Sequence, residues 1–219
     1  MTLRIDAVPV GAFQANAYLV VDESAKRAVI VDPGADGDAL AARLVAEGIT
    51  VEAIWITHGH LDHVGGIMGV RRAFPEAPIW LHAADRPLYD NVAAQARTYG
   101  IPMESPPAPD RTWDEGDTVS LGGHHFRVVH LPGHAPGHVA LVGDAHVFVG
   151  DVIFAGSVGR TDLPMCDPRA MQRSLERIAA WPAHLVLHPG HGPATTVSDE
   201  VSTNPFLAGI ARPRGATIP

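Results

Sequence analysis

Short runs of apolar, β-branched residues alternate with glycine-, proline- and aspartate-rich breaks along the chain, which is typical of strands joined by turns. Residues 3–10, 16–21 and 27–31 are the first three runs, and they predict an antiparallel meander. Later runs predict strands at residues 52–57, 79–82, 118–121, 124–131, 139–142, 146–149 and 185–187. The runs from 118 to 149 predict a second meander.

Segments with apolar residues three or four positions apart predict helices beside these strands. They cover residues 36–47, 66–73, 84–98 and 168–181, and Asp167 is the expected N-cap of the last helix. The proline-rich residues 100–111 predict an irregular surface segment that is either a lid or a loop.

Two strand-rich halves flanked by helices predict an α+β fold, in which two mixed sheets pack face to face with helices outside. We expect a single domain over residues 1–192. Residues 193–219 are expected to form a surface extension, because the segment is too short for a separate domain.

The composition excludes several classes of function. The 219 residues are 46% apolar with a mean hydropathy of +0.07, as expected of a globular protein. A formal net charge of -8 argues against nucleic acid or an anionic membrane as a partner. The apolar runs are far shorter than the ~20 residues that cross a bilayer. With one cysteine and no signal-peptide pattern in residues 1–10, the cytoplasm is the expected compartment.

Most of the 13 histidines cluster beside glycine and aspartate in three short segments. In the first, His58, His60, Asp62 and His63 lie directly after a predicted buried strand. Imidazole nitrogens and carboxylate oxygens bind Zn²⁺ and other divalent ions, and burying such groups without partners costs several kcal/mol. The segment therefore predicts a metal site.

Three more candidate ligands each follow a predicted strand and lie beside glycine. The seven candidates can divide into two adjacent sites, with His58, His60 and His134 on one ion, Asp62, His63 and His191 on the other, and Asp151 bridging them. Two divalent ions, two carboxylates and a shared hydroxide leave a charge of about +1, which favours a developing oxyanion. We expect two divalent metal ions, with zinc preferred and iron or manganese as alternatives.

Four motifs, T-H-G-H-x-D-H, P-G-H-x-P-G-H, G-D and P-G-H-G, occur in this order. They resemble those of the metallo-β-lactamase-fold hydrolases, nearer the glyoxalase II branch than the lactamases. The resemblance covers roughly residues 10–192. It implies an αββα sandwich and the same metal partition on the same seven residues. The substrate stays open, because this scaffold hosts thioesterases, lactonases, nucleases, phosphodiesterases and iron dioxygenases.

Residues 156–164 also resemble a segment of the short glyoxalase II-like proteins and of the persulfide dioxygenases. In those families the basic residue here helps to bind the glutathione carboxylates, which implies that Arg160 anchors the substrate. An ion pair between Arg160 and Asp162 is the alternative. Met165-Cys166 replaces a small glycine pair common in the short branch, so we expect a differently shaped pocket. Asn204-Pro205-Phe206-Leu207 resembles the ending of that branch, but the sequence supplies no mechanism for it.

Other polar residues near the motifs have structural alternatives. His138 is expected to hydrogen-bond within its own turn rather than to bind metal. Asp32 either orients a metal-binding imidazole or caps a turn. Cys166 lacks a Cys–His signature and is expected to be a bystander. The remaining histidines are expected at the surface or in the core, and they are His82, His124, His125, His130, His146, His184 and His188.

These features predict a metal-dependent hydrolase whose partner is a small-molecule thioester, S-2-hydroxyacylglutathione or a similar small-thiol adduct. Asp62 and Asp151 would act in catalysis, with a hydroxide shared by the two ions attacking the carbonyl carbon. A thiolate leaves without a strong general acid, which favours thioesters over amides. One alternative is an iron-dependent persulfide dioxygenase that uses His58, His134 and Asp151. The other is a promiscuous lactonase or β-lactamase-like hydrolase of the same fold.

Overall fold

A computed structural model of the protein describes residues 2–209 and 211–213. The first six strands are β1 (Leu3–Val10), β2 (Ala15–Asp22), β3 (Arg27–Val31), β4 (Thr50–Trp55), β5 (Ile79–His82) and β6 (Arg111–Trp113). They form one sheet in chain order. β1, β2 and β3 are antiparallel, and β4, β5 and β6 continue the sheet in parallel.

The second sheet comes from the C-terminal half. The strands of this half are β7 (Thr118–Leu121), β8 (His124–His130), β9 (Val139–Val142), β10 (His146–Gly150), β11 (Ile153–Phe154), β12 (Ser157–Val158), β13 (Val186–Pro189) and β14 (Thr195–Thr196). The sheet has the order β14-β13-β10-β9-β8-β7, and β11 and β12 form a separate two-stranded ribbon. β10 and β13 are parallel, so their carboxyl ends meet at one edge.

Seven α-helices flank the sheets within the described residues. They are α1 (Gly37–Ala46), α2 (Leu61–Val64), α3 (Ile67–Ala73), α4 (Arg86–Asp90), α5 (Val92–Thr98), α6 (Pro168–Ala179) and α7 (Val197–Thr203). None of these helices is both long and apolar enough to traverse a bilayer.

Alternation along the strands produces four layers. On β2, Leu19 belongs to an apolar cluster with Leu44 of α1, whereas its neighbour Val20 packs in the cluster between the two sheets. On the far side, Met171 and Leu175 of α6 cover the outer face of the second sheet. Because side chains alternate between the faces of a strand, a central strand such as β2 is buried on both faces, whereas β7 and β8 alternate buried residues with exposed ones on the outer face. The predicted αββα sandwich of two mixed sheets with helices outside is confirmed.

One predicted helix differs from the observed structure. The helix predicted at 84–98 is a short 3-10 turn, Ala83–Asp85, followed by α4 and α5 with a break at Asn91. Pro87 in the first turn of α4 lacks the N–H that a continuous helix would need, so a new helix begins there. The helix predicted at 66–73 corresponds to α3, and the preceding short helix α2 carries Asp62 and His63.

The chain passes residue 192, the predicted end of the domain, without leaving the second sheet. β14 pairs with β13, and Val197 of α7 is buried in the same apolar cluster as α6. Asn204 after α7 is fully buried. The other parts of the predicted extension, residues 210 and 214–219, lie outside the described residues.

Candidate metal centre

Four loops meet at one end of the sandwich, and each follows the carboxyl end of a strand. β4 leads to His58 and His60, β8 to His134, β10 to Asp151, and β13 to His191. The N–H of Gly190 donates to the carbonyl of Gly150 at 2.8 Å and joins the last two loops. The two sheets therefore bring together residues that are far apart in sequence.

His58, His60 and His134 form the first donor group, with one ring nitrogen from each within 4.8 Å of the others. Nδ1 of His60 lies 2.9 Å from Nε2 of His134. Nδ1 of His134 donates to the carbonyl of Arg160 at 2.8 Å, which fixes the ring and leaves Nε2 for the cluster. Burial lowers the pKa of His58, and it lowers the pKa of His60 to about 3. Both imidazoles therefore keep the lone pairs that a metal ion needs.

Asp62, His63 and His191 form the second group, also within 4.8 Å. Oδ2 of Asp62 lies 3.2 Å from Nε2 of His191 and 3.8 Å from Nε2 of His63. Burial alone would lower the pKa of His63, but the nearby carboxylates, Asp151 foremost, raise it well above its ordinary value. The carboxylates thus favour a positive charge at this group.

Asp151 lies between the two groups. Its Oδ2 is 3.6 Å from Nε2 of His134 in the first group and 3.5 Å from Nε2 of His191 in the second. Its Oδ1 is 3.5 Å from Nε2 of His63. Asp151 is therefore within reach of both donor groups.

The donors fit two divalent metal ions. Buried polar atoms normally have hydrogen-bond partners, yet Nε2 of His58, Nε2 of His63 and Oδ1 of Asp151 are buried without one among the described residues. Sets of three imidazole and carboxylate donors are typical of catalytic sites for zinc and related ions, which keep an open position. The structure brings all seven candidate ligands together, as two groups of three donors with Asp151 between them.

Asp32 orients one of the imidazoles. Its Oδ2 accepts hydrogen bonds from Nδ1 of His63 at 3.0 Å and from the hydroxyl of Thr57 at 2.6 Å, and its Oδ1 accepts the Thr57 N–H at 2.8 Å. Asp32, His58 and His63 also have donor atoms within 4.8 Å of one another, but these hydrogen bonds already use both oxygens of Asp32. Of the two roles expected for Asp32, the structure therefore favours orientation of the imidazole, a contact that fixes the tautomer of a metal-binding histidine.

His138 has a different partner from the expected one. Its buried ring stacks on His58 with centroids 4.9 Å apart. Its Nε2 accepts the backbone N–H of Asp151 at 2.9 Å, instead of bonding within its own turn as predicted. The turn prediction is wrong because it considered only neighbours in sequence. His138 supports the loop that carries Asp151.

Asp85 was not identified from the sequence. Its buried carboxylate accepts the Gly59 N–H at 2.8 Å and also accepts the Gly137 N–H, so it connects two of the histidine-bearing loops. A Cβ at Gly137 would lie 2.7 Å from the backbone nitrogen of Asp85, so glycine permits this close approach. Burial raises the pKa of Asp85 to about 6. An aspartate before a helix is common as a cap, so its local sequence gave no sign of this role.

β2 holds the loop that carries His191. Nδ2 of Asn16 donates to the carbonyls of Pro189 at 3.0 Å and Gly192 at 2.8 Å, and the Tyr18 hydroxyl donates to Pro189 at 2.6 Å. The first sheet thus fixes a ligand of the second sheet. Sequence analysis missed both residues, because neither lies near a histidine motif.

A cleft of about 550 Å³ opens above the cluster, and five of the seven donors line it, namely His60, Asp62, His134, Asp151 and His191. Arg160 also lines the cleft, and its exposed guanidinium pairs with Asp162, with Nε 2.8 Å from Oδ1. The ion pair expected as the alternative is therefore present.

Cys166 is half-buried and donates to the carbonyl of His134 at 3.0 Å. Burial raises the pKa of its thiol, which disfavours a nucleophilic role.

Comparisons with known proteins agree with this geometry. The family model for the metallo-beta-lactamase superfamily matches residues 10–191. Hydroxyacylglutathione hydrolase GloC of Haemophilus influenzae is 36% identical over 94% of this chain and 98% of its own length. The solved structure of TTHA1623 in a di-iron-bound form is 44% identical, with a TM-score of 0.84 over 92% of this chain and 100% of that one. The solved structure of the BLEG-1 B3 metallo-beta-lactamase is 36% identical, with a TM-score of 0.87 over 94% of this chain and 100% of that one. The chain is therefore a metallo-hydrolase that belongs to the metallo-beta-lactamase superfamily.

Proposed function

We propose that the protein hydrolyses thioesters, and that its substrate is S-2-hydroxyacylglutathione or a similar adduct of a small thiol. The hydrolytic part rests on Asp151, whose carboxylate lies beside histidines of both donor groups at the cleft. The similarity to a hydroxyacylglutathione hydrolase over nearly the whole of both chains supports the choice of thioester.

The metal ions would be held by the donors already described. His58, His60 and His134 would hold one ion, and Asp62, His63 and His191 would hold the other. Asp151, which lies beside both groups, would bind both ions. When bound, divalent ions of this kind activate water at neutral pH and polarise a carbonyl oxygen. We propose zinc as the metal. Iron is the alternative supported by the di-iron relative, and manganese also suits imidazole and carboxylate donors.

The chain's own residues prepare the site for attack by water. Burial alone would raise the pKa of Asp62 and Asp151, but His63 and other nearby histidines lower both, so the carboxylates are ionised at neutral pH. Each can accept a hydrogen bond from water. In the reaction, water adds to the carbonyl carbon, the carbon–sulfur bond breaks, and a carboxylic acid and a thiol are released. A thiol with a pKa near ~8.5 leaves as thiolate, so no strong general acid is required.

Arg160 is our candidate anchor for a carboxylate of the carrier thiol. Its ion pair with Asp162 uses Nε and Nη2, and within the described part of the chain the N–H groups of Nη1 are left for a ligand at the cleft. A guanidinium suits a carboxylate because two N–H groups can bind it together.

An iron-dependent persulfide dioxygenase is the second candidate. His58, His134 and Asp151 supply the two histidines and one carboxylate that such an iron site uses. Such a reaction needs one iron, and it would leave Asp62, His63 and His191 without a role. Lactone or β-lactam hydrolysis is a further activity to test, given the similarity to a B3 metallo-beta-lactamase. We expect the enzyme to act in the cytoplasm.

The test is steady-state kinetics of zinc-loaded protein on S-2-hydroxyacylglutathione and on a neutral thioester without peptide carboxylates. Arg160→Ala is expected to raise KM for the glutathione thioester by about 10- to 100-fold with little change in kcat, because the contact is remote from the carbonyl. Arg160→Lys should recover part of the loss. Arg169→Ala, which changes an exposed arginine on α6, is the control and should leave KM unchanged.

Equal losses on both substrates would make Arg160 a structural residue and would remove the glutathione anchor. If protein with two ions per chain hydrolyses no thioester, the hydrolase proposal fails. Oxygen uptake by the iron-loaded protein with glutathione persulfide would then support the dioxygenase.

A further inference from the structure

Exposed apolar side chains are concentrated at the cleft. Among the described residues, five large apolar side chains are exposed. Three of them line the cleft of the metal centre: Phe13 at 41%, Tyr99 at 60% and Met165 at 49% exposure. We call these three residues the apolar rim. Clustered exposed apolar surface marks binding sites, whereas single exposed residues are ordinary.

Phe13 and Tyr99 are held together. Their rings meet edge to face, with centroids 5.6 Å apart. Phe13 lies in the turn between β1 and β2, where the Gly11 N–H donates to Oδ2 of Asp36 at 3.1 Å and the side chain of Gln14 donates to the Gly11 carbonyl at 2.8 Å. These hydrogen bonds fix the turn, so the exposed phenyl ring is presented by an ordered backbone.

Met165 contributes from a third segment, the loop before α6. Its backbone has φ of 69°, a conformation that residues other than glycine seldom adopt. The Cys166 N–H donates to the Leu163 carbonyl at 3.2 Å and the Asp167 N–H to the Gly133 carbonyl at 2.8 Å, so the loop is tied down on both sides. Three separate segments thus contribute apolar side chains to the lining of the same cleft.

We infer that the apolar rim binds an apolar acyl group of the substrate, either aliphatic or aromatic. The inference rests on the proposed thioester hydrolysis. In that reaction the thiol carrier extends towards Arg160, so the acyl group must occupy the rest of the cleft, where Pro87 and Leu88 add to the apolar lining. An acyl chain that covers these side chains removes apolar surface from water, whereas a short polar acyl group does not.

A series of thioesters of one thiol, from acetyl through butyryl to hexanoyl, tests the inference on zinc-loaded protein. We expect kcat/KM to rise roughly fourfold for each added methylene that contacts the rim. Phe13→Ser and Tyr99→Ser should flatten this dependence. Val45→Ser on α1 and Val201→Ser on α7 each remove an exposed apolar side chain that does not line the cleft, and they should leave the dependence unchanged.

Calorimetric binding of S-hexylglutathione and S-methylglutathione gives a readout that needs no turnover. The hexyl compound is expected to bind at least ~10-fold more tightly, and Phe13→Ser should abolish the difference. Tight hexyl binding without hydrolysis of any thioester would overturn the proposed function and still support the rim as an apolar binding site.

Three results would overturn the inference. One is a flat dependence on acyl length in the unsubstituted protein, and another is a dependence that follows apolar groups on the thiol instead. The third is a dimer that dissociates on Phe13→Ser while the dependence on acyl length persists, because the rim would then be an interface between copies of the chain.

Discussion

A single buried carboxylate connects two loops that carry metal ligands. Asp85 accepts the N–H of Gly59, which lies between His58 and His60, and the N–H of Gly137, which lies just after His134 in sequence. A buried N–H that loses its partner costs about 1–3 kcal/mol. Asp85 therefore contributes both to the free energy of unfolding and to the spacing of the first donor group.

Asp85→Ala is expected to lower the free energy of unfolding by about 2–6 kcal/mol, because two buried N–H groups lose their acceptor. It should also weaken binding of the first metal ion. Urea unfolding and metal titration of the same preparation measure the two effects. Asp90→Ala removes an exposed carboxylate from an ion pair with Arg86 of α4 and should change stability by less than ~1 kcal/mol. An effect of Asp85→Ala no larger than this control would contradict the role of Asp85.

Asp151→Asn is expected to harm turnover more than folding. The amide keeps the size of the side chain but removes the charge that lies beside His63, His134 and His191. Loss of metal activation predicts a decrease in kcat of ~10² or more. Metal content and thermal unfolding are measured on the same sample, so that loss of an ion or of the fold is seen directly. Near-normal kcat with a full metal complement would remove Asp151 from the bridging position.

The residues that bind metal are easier to predict than those that hold them. His134, Asp151 and His191 each follow a strand and lie beside glycine, so a local pattern identifies them. Asp85 and Asn16 have no such pattern, because their partners are remote in sequence: 52 residues separate Asp85 from Gly137, and 173 separate Asn16 from Pro189. Such contacts exist only after the sheets have packed.

At the scale of elements, α7 holds the β11–β12 ribbon that borders the cleft. Oε2 of Glu200 accepts the Gly156 N–H at 3.0 Å and Nδ2 of Asn204 at 2.7 Å. Nδ2 of Asn204 also donates to the Ser157 carbonyl at 3.0 Å, and its Oδ1 accepts the Phe206 N–H at 3.0 Å. The Asn-Pro-Phe-Leu segment, for which the sequence supplied no mechanism, thus anchors the ribbon that leads to Arg160.

Asn204→Ala is expected to loosen the ribbon without unfolding the sandwich. The ribbon loses the hydrogen bonds that Asn204 donates to the carbonyls of Ser157 and Phe154, and Glu200 loses a buried donor. Hydrogen exchange of the amides in residues 153–158 should accelerate by ~10-fold or more, which corresponds to about 1.4 kcal/mol of local stability. Ser202→Ala on the exposed side of α7 is the matched control and should leave exchange in the ribbon unchanged. Unchanged exchange in Asn204→Ala would show that other contacts hold the ribbon.

Prediction of the elements succeeded where patterns were long and failed where they were short. β2, β3 and β8 have enough consecutive residues to show their apolar character. β6, β11, β12 and β14 have only two or three residues each, too few for alternation to be recognised. α7 was missed because Val197 and Val201 are its only apolar residues, and Val201 is exposed.

At the scale of the whole molecule, the apolar core and the metal centre are separate. The three apolar clusters lie between the sheets and under the helices on each side. The donors instead lie in loops and in the short helix α2 at the end of the sandwich. The fold should therefore persist without metal, whereas the loops should depend on it.

Zinc loading followed by elemental analysis is expected to give two ions per chain, because two donor groups share Asp151. An ion present at about 1,000 times its Kd adds about 4 kcal/mol to the folded state. For a chain of this length, that shifts Tm upward by roughly 8–16 °C per ion. A chelator should reverse the shift while far-ultraviolet circular dichroism stays near native below the new Tm.

His191→Ala should retain one ion, whereas His184→Ala, at an exposed histidine outside the cluster, should retain two. One ion per chain under zinc excess in the unsubstituted protein would contradict the dinuclear site and favour the iron-dependent dioxygenase, with its single ion on His58, His134 and Asp151.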